Sequence, residues 1–485
     1  MSLRLQNTLS GQLEEFVPLE PGRVRMYTCG PTVYQYAHIG NFRTFVFQDI
    51  LRRYLRYRGY ELRHVMNITD VDDKTIANAA AAGLSLRAYT DKYLEAFFAD
   101  ADLLRLERPE IVARATDHID DMVGLIERLE EKGDAYRSDG SIYFRIARFP
   151  RYGALSRIDL SGIRPGARVD VEEYGKDDPR DFALWKQAKP DEPFWETRLG
   201  PGRPGWHIEC SAMSIKYLGA HFDIHTGGVD LVFPHHENEI AQSEAATGEK
   251  FVNYWLHAEH LIVEGEKMAK SKGNFYTLRD LIAREYRPSA IRYLLASVPY
   301  RKPLNFTFDA LHQAAQSLER LRNFRLRLQT EKFPAGTTPK LAERTADARR
   351  ELEAALDDDL NTAEALAALF NLVREANTAM DAGEFRQGDA APVLDFLARW
   401  DEIFAVLADD ERERLRAYAQ RQEEPVPVTV GANGLSEAEI EARLRERQDA
   451  RKRRDFARAD QIRQELAARG IMVEDTKDGV RWKRK

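Results

Sequence analysis

Near the N-terminus the apolar residues change rhythm twice. Val24 to Thr28 is a short apolar run that breaks at Cys29-Gly30-Pro31, which predicts a strand running into a turn. From Thr44 the spacing lengthens: Phe45, Phe47, Ile50, Leu51, Tyr54 and Leu55 keep roughly to the helical period, and Gly59 stands where a C-terminal cap belongs. Leu62 to Ile68 reads as a second strand. Strand, helix and strand within about forty residues make a βαβ unit, which builds a parallel sheet with helices outside it.

Residues 115–200 behave differently. Ser138-Asp139-Gly140-Ser141 lies between two β-rich runs, a hairpin signal, and glycine and proline punctuate the chain as far as Gly205. This stretch reads as an insertion into the first domain. Phe222 to His225 and His257 to Val263 then predict further strands of the original sheet. From Asp309 to Arg421 the pattern is almost wholly helical, with Leu311, Ala314, Ala315 and Leu318 forming the stripe of a bundle helix. Two prolines and two glycines between Glu423 and Ser436 mark a linker. The expected fold is α/β: a Rossmann-type parallel-sheet domain over 1–114 and 201–308, a connective insertion over 115–200, a helical bundle over 309–422, and a small C-terminal module over 436–485.

Length agrees with this division, since 485 residues exceed one compact core and imply two to four domains. No run of eighteen or more apolar residues occurs, so no membrane span is expected. Met1 to Pro18 lacks a basic-then-apolar leader, which points to the cytoplasm. A net charge of -7 argues against indiscriminate nucleic-acid binding. From Arg451 onward, however, twelve Lys or Arg face six Asp or Glu. A basic tail on an acidic body suits a selective polyanion partner, and a solvated helix with a frayed end fits the same charges. The two cysteines, Cys29 and Cys210, are expected to stay reduced in the cytosol.

Three elements carry candidate chemistry. His38-Ile39-Gly40-Asn41 opens the first helix, whose N-terminus offers free N–H groups to phosphate. Gly40 would let a nucleotide approach the backbone and His38 would bond phosphate oxygens; a capping turn alone also explains the pattern. Lys267-Met268-Ala269-Lys270-Ser271-Lys272-Gly273-Asn274 places three lysines in six residues, ahead of Thr277 and Asp280, which fit a capping box. Such a loop can close on a triphosphate, although taken alone it also fits a solvated surface. In Pro234 to Glu239, His235 and Glu239 share a helix face, and with Cys29 and Cys210 they would complete a tetrahedral zinc shell. Seven of the eleven histidines fall between 207 and 260, concentrating polar chemistry there. Spacing alone does not bring Cys29 to Cys210.

In this order the motifs resemble the cysteinyl-tRNA synthetases, a family of class I aminoacyl-tRNA synthetases. The resemblance runs through Cys29 to Tyr34 with His38 to Asn41, Asn67 to Lys74, Gly205 to Ser211, Phe233 to Glu239, the lysine loop, and Asp357 to Thr362. It implies ATP-dependent attachment of L-cysteine to tRNA(Cys) through cysteinyl-adenylate, with Mg²⁺ accompanying ATP. It implies one zinc ion on Cys29, Cys210, His235 and Glu239 that selects the substrate thiolate. His38, Asn41, Lys267 and Lys270 are implied as catalytic, and Thr69 and Trp206 as contacts to the amino acid. Gly40, Gly228 and Asp230 join His38 and Lys270 around the nucleotide. The C-terminal module is expected to read the anticodon, with Arg451, Arg453 and Arg454 on phosphates and Trp482 stacked on a base or packed in a core. A monomer is expected.

Two positions depart from the family pattern. Asn41 stands where the first signature often ends in His, and keeps hydrogen-bonding capacity; Ala269 stands for the usual serine of the lysine loop. Asp70, Asp72 and Asp73 fit either a capped turn or a substrate-side role. The nearest rival is a ligase joining cysteine to an amino sugar, as in mycothiol biosynthesis, which would not need the module after 436. A non-catalytic relative that binds RNA or senses cysteine is a third reading.

Overall fold

The computed structural model describes residues 2–158, 176–190 and 192–423, together with parts of 443–484. The chain divides into two compact units, Met1–Ile76 with Leu86–Glu424, and Ala77–Ser85 with Pro425–Lys485. Apart from Ala77–Ser85, the segments expected as parallel-sheet domain, insertion and bundle therefore share one unit.

After an antiparallel pair, β1 (Arg4–Asn7) and β2 (Gln12–Glu15), the βαβ unit comprises β3 (Arg23–Thr28), α1 (Ile39–Tyr57) and β4 (Glu61–Ile68). α1 begins at a reciprocal cap between His38 and Asn41 and ends at Gly59, whose φ is +86°. Tyr60 N bonds back to Leu55 O at 3.1 Å, so the glycine permits the reversal that satisfies a terminal carbonyl. Phe45, Phe47, Ile50, Leu51, Tyr54 and Leu55 are all buried.

α2 (Asp73–Ala81) and α3 (Leu86–Leu103) lead along the chain to β5 (Ile111–Arg114), parallel to β4. α4 (Ile119–Glu131) follows, then the antiparallel sheet β6 (Ala135–Ser138), β7 (Ser141–Phe144), β8 (Phe182–Gln187) and β9 (Gly202–Pro204). That sheet runs to Pro204, past the limit of 200 set from composition, because Gly202 to Pro204 pair with Gln187 to Trp185. α4 packs chiefly with α5 (Trp206–Leu218) and α6 (Glu237–Thr247), and also touches β6.

β10 (Phe222–Gly228) and β11 (Val252–Ala258) complete a five-stranded parallel sheet in the order β11-β10-β3-β4-β5. The chain builds outward from β3 to β5, then returns to the other side of β3. The order therefore reverses between β3 and β10, and the crevice beyond their C-terminal ends is where such sheets bind ligands. The strand expected over His257–Val263 is in fact two. β12 (Leu261–Val263) leaves the main sheet for β13 (Glu266–Lys267) and β14 (Leu304–Phe306). The backbone turns away because Glu259 N bonds to Tyr300 O at 2.8 Å and Leu304 N to His260 O at 3.1 Å.

The remainder of the unit is helical: α7 (Leu278–Ala283), α8 (Pro288–Ala296), α9 (Phe308–Thr330), α10 (Pro339–Asp357), α11 (Thr362–Asp381), α12 (Gln387–Phe404) and α13 (Glu411–Glu423). Leu311, Ala314 and Leu318 of the expected stripe are buried. Arg292 on α8 is fully buried and bonds to Asp49 on α1 at 2.5 Å and to Phe404 O at 2.6 Å, fastening bundle to sheet. In the second unit, β15 (Ile471–Thr476) and β16 (Gly479–Arg484) form an antiparallel hairpin.

Candidate active site

A cavity of about 630 Å³ occupies the crevice at the reversal point, lined by the loop from Cys29 to His38, by Gly228 at the end of β10 and Asp230 just beyond it, and by Trp206 and His235. Cys29 and His235 line its floor, and Cys210 and Glu239 lie buried behind them. Cys29 follows β3, Cys210 lies on α5, and His235 and Glu239 lead into and along α6. All four are buried, with donor atoms within 4.8 Å of one another. The two sulfurs stand 3.9 Å apart. A tetrahedral ion with bonds of about 2.3 Å to sulfur would separate them by about 3.8 Å. His235 Nε2 lies 3.0 Å from Glu239 Oε1. The donor chemistry and spacing thus fit a zinc shell.

Charge is already arranged there. Burial pushes both thiols up and leaves Cys29 well above its ordinary range, but a hydrogen bond with Cys29 and the nearby His235 bring Cys210 to about 6. Burial opposes protonation of His235, yet the Glu239 carboxylate and Cys210 raise it to about 10. His225 and His235 overcome the cost of burying Glu239 and lower it to about 2. These shifts favour a charged His235 beside the Glu239 carboxylate and the Cys210 thiolate, with Cys29 kept protonated.

A second set, Cys29, His225, His236 and Glu239, is comparably close. Here the histidines have other partners: His225 Nε2 contacts Glu239 Oε2 at 2.9 Å, and His236 Nδ1 contacts His257 Nε2 at 2.7 Å. His257 Nδ1 meets Thr8 Oγ1 at 2.8 Å, and His236 Nε2 lies 3.3 Å from Cys29 Sγ. Each imidazole in this chain can give one proton and take one, so the row orients Cys29 from behind. Only the set with His235 reaches the cavity wall at both Cys29 and His235.

Trp206 stacks on His235, and Thr69 donates to the buried Glu209 Oε2 at 2.9 Å. Burial holds the Glu209 carboxyl well above its usual range. Gly30 passes so close to β4 that a Cβ would lie 1.8 Å from Asn67 O.

At the N-terminus of α1, His38 Nδ1 accepts from Asn41 N at 3.1 Å, and Asn41 Oδ1 accepts from His38 N at 3.1 Å. Burial draws the imidazole down to about 4, with Asp230 opposing and Lys270 assisting. A neutral ring accepting at Nδ1 carries its hydrogen on Nε2, the donor a phosphate would need. Gly40 acts differently from expectation. A Cβ there would meet His38 Nδ1 at 2.9 Å and Met268 Cε at 3.2 Å, so the glycine admits these side chains and does not line the cavity. Lys270 Nζ donates to Gln35 Oε1 at 2.6 Å, Lys272 pairs with Glu266 at 2.8 Å, and Lys267 is exposed on β13. Neither Lys267 nor Lys270 lines the cavity; Gln35 does.

The acidic motif separates by role. Asp70 accepts from Arg114 and Thr116, Asp72 caps α2 through Thr75 N at 2.6 Å, and Asp73 pairs with Lys186 and Arg203 of the insertion sheet. Asp357, Asp358 and Asp359 pair with Arg58, Arg4 and Arg301, and Asn361 caps α11. Arg451 and Arg454 lie outside the described residues; Arg453 is exposed, and Trp482 stands on β16 opposite Val473.

Residues 15–316 match the model of the tRNA synthetases class I (C) catalytic domain. The chain is 61% identical over 485 residues, the whole of both proteins, to a cysteine–tRNA ligase of Solibacter usitatus (strain Ellin6076). The chain belongs to the cysteine–tRNA ligase family. A ligase of that name from Koribacter versatilis (strain Ellin345) is 57% identical, again over both full lengths. Two further models match, a DALR domain at 351–408 and a cysteinyl-tRNA ligase anticodon binding domain at 433–482. Among solved structures, Mycobacterium tuberculosis methionyl-tRNA synthetase bound by methionyl-adenylate aligns at TM-score 0.60 and 15% identity, covering 81% of this chain and 93% of that one. That likeness establishes the class I synthetase fold.

The concentration of histidines was the one sequence signal for the row behind Cys29. Nothing in the spacing indicated Gln35 or Glu209 as partners of Lys270 and Thr69.

Proposed function

We propose that this chain attaches L-cysteine to tRNA(Cys) in two steps. The cysteine carboxylate attacks the α-phosphorus of ATP, forming cysteinyl-adenylate and releasing pyrophosphate; a terminal ribose hydroxyl of the tRNA then takes the cysteinyl group and AMP leaves. The observation that carries this reading is the four-donor cluster at the floor of a cavity whose rim bears the capped His38. Cys29, Cys210, His235 and Glu239 are the proposed zinc ligands. When bound, zinc would supply a borderline-soft acceptor that prefers the cysteine thiolate to the hydroxyl of serine.

The remaining residues position and neutralise. Thr69, held by Glu209, and Trp206 would contact the amino acid on either side of the donors. His38 Nε2–H would donate to phosphate, with Asn41 keeping its ring in register. Gly228 and Asp230 would meet the nucleoside at the end of β10, and Lys267 and Lys270 would swing from their present exposed positions onto the triphosphate, which Mg²⁺ accompanies. Neither step needs a protein nucleophile, so orientation and charge stabilisation supply the rate.

The match of 433–482 to an anticodon-binding family supports tRNA over an amino sugar as acceptor. On that reading Arg451, Arg453, Arg454 and Trp482 contact RNA. Action as a cytoplasmic monomer belongs to the same proposal. The test is cysteine-dependent ATP–pyrophosphate exchange together with charging of purified tRNA and metal analysis. Exchange with cysteine but not serine, charging of tRNA(Cys), and one zinc per chain are expected. Absence of exchange in metal-replete protein would refute the reading.

A further inference from the structure

The lysine loop leaves its exposed stretch at two pinned residues. Ile39 N bonds to Tyr276 O at 2.9 Å, and His38 forms a β-bridge with Thr277. Thr277 then caps α7, with Asp280 completing a capping box. Arg279 is the second residue of that short helix. Its guanidinium lies over the Tyr36 ring, 4.4 Å from the centroid, and reaches Asp100 Oδ1 on α3 at 3.3 Å.

Asp100 is buried, and its Oδ1 also accepts from Tyr418 Oη on α13 at 2.5 Å. The Tyr418 ring stands 5.7 Å from the same guanidinium. Tyr36 is braced on its other side by Tyr93 of α3, ring centroids 5.2 Å apart. Its neighbour Gln35 is the residue that holds Lys270. Besides the His38–Thr277 bridge, the loop before α1 therefore meets the lysine segment through two side-chain ties, Gln35 with Lys270 at the exposed tip and Tyr36 with Arg279 at the half-buried base.

These two ties differ in kind. Lys270 is solvent-exposed on a flexible stem, and that tie can break when the loop moves onto a triphosphate. Arg279 has 21% of its side chain exposed, against 1% for Asp100, and stacks and bonds at once. A planar guanidinium can lie flat on the ring while its edge reaches the carboxylate, a geometry that the point charge of a lysine ammonium does not reproduce. The base thus stays fixed while the tip is free.

We propose that Arg279 is a positioning residue for adenylate formation: clamped by Asp100 and Tyr418, it holds the base of the lysine loop against the Tyr36 segment so that the loop closes in register with His38. This inference rests on the function proposed above. It predicts that the brace acts on turnover and leaves cysteine capture alone, since no member of it touches the metal donors.

The test is steady-state cysteine-dependent pyrophosphate exchange by full-length Arg279→Ala, Arg279→Lys and Tyr418→Phe, with metal content and thermal midpoint measured alongside. Both Arg279 variants should lose roughly tenfold or more in kcat, as expected for misplaced reacting groups. KM for cysteine and bound metal should stay within about twofold. Tyr418→Phe should lose roughly two- to fivefold in kcat, and the double variant Arg279→Ala with Tyr418→Phe should be no slower than Arg279→Ala, as members of one network behave. An Arg279→Lys enzyme with wild-type kcat overturns the proposal, as does a fall in kcat matched by loss of metal and cysteine binding. If the Arg279 variants do not fold, an unchanged kcat in Tyr418→Phe overturns it and the stated loss supports it. Wild-type protein without exchange would instead refute the underlying function.

Discussion

The Trp206 indole lies on the His235 imidazole, ring centroids 4.2 Å apart and planes 22° from parallel. A residue proposed to cover the amino acid thus also packs on a proposed metal donor. Aromatic stacking of this kind contributes about 0.5–1.5 kcal/mol beyond area burial. Trp206→Ala should therefore raise KM for cysteine in pyrophosphate exchange by at least two- to tenfold, the range of that energy. Trp206→Phe should recover most of the loss. Equal KM values in all three proteins would remove Trp206 from the amino-acid site.

The two donor sets make opposite predictions. Cys210→Ser and His235→Ala should strip zinc from the purified protein, read by elemental analysis. His236→Gln should retain it with affinity weakened on the order of 10- to 100-fold, the usual effect of losing a hydrogen bond behind a ligand. Zinc kept by His235→Ala and lost by His236→Gln would transfer the site to His225 and His236.

Gly40→Ala should disturb the nucleotide side without touching the metal. The new methyl would press on His38 and Met268 at 2.9 and 3.2 Å. Displacing a phosphate donor by a fraction of an ångström should lower kcat for exchange by roughly tenfold or more, with zinc content unchanged. A fully active Gly40→Ala enzyme would show that His38 tolerates the shift.

Much of the fold was legible because periodicity reports burial. The stripe of α1 and the buried run of β3 each meet the core on the face their spacing implied. The division at Ala258 was not legible, since no glycine or proline separates β11 from β12, and the departure depends on hydrogen bonds to Tyr300 and Leu304 more than forty positions away. Ligand types were readable at Cys29, Cys210, His235 and Glu239, but their convergence comes from the strand order. The roles of Asp70 and Asp73 depend on Arg114, Lys186 and Arg203, partners that local sequence does not announce.

Acid should destabilise the protein through His64. This imidazole is buried between Thr28 Oγ1, at 2.8 Å, and the Arg52 guanidinium, at 3.4 Å. Burial first, and then the Arg52 charge, hold it down to about 3. Its unfolded value is about 6.5, so below that pH the unfolded chain takes up a proton that the folded one refuses. The stability it contributes is present above pH 6.5 and is lost as pH falls toward 3, by about 1.4 kcal/mol per unit. Urea unfolding at pH 7, 6 and 5 should show a gentler decline for His64→Gln than for the wild type. Parallel declines would exclude His64 as the source.

Cys29 and Cys210 are separated by 181 positions along the chain, and Glu239 comes 29 later. During synthesis the first thiol must therefore wait, unliganded, while the whole insertion is made. At elongation rates of about 5–20 residues per second that interval is on the order of ten seconds or more. On the proposed donor set the ion would be captured only after Glu239 has emerged and β10 has docked beside β3, so metal loading would be a late event in this enzyme's maturation, and a cell short of zinc would accumulate chains that are fully made yet chemically unfinished.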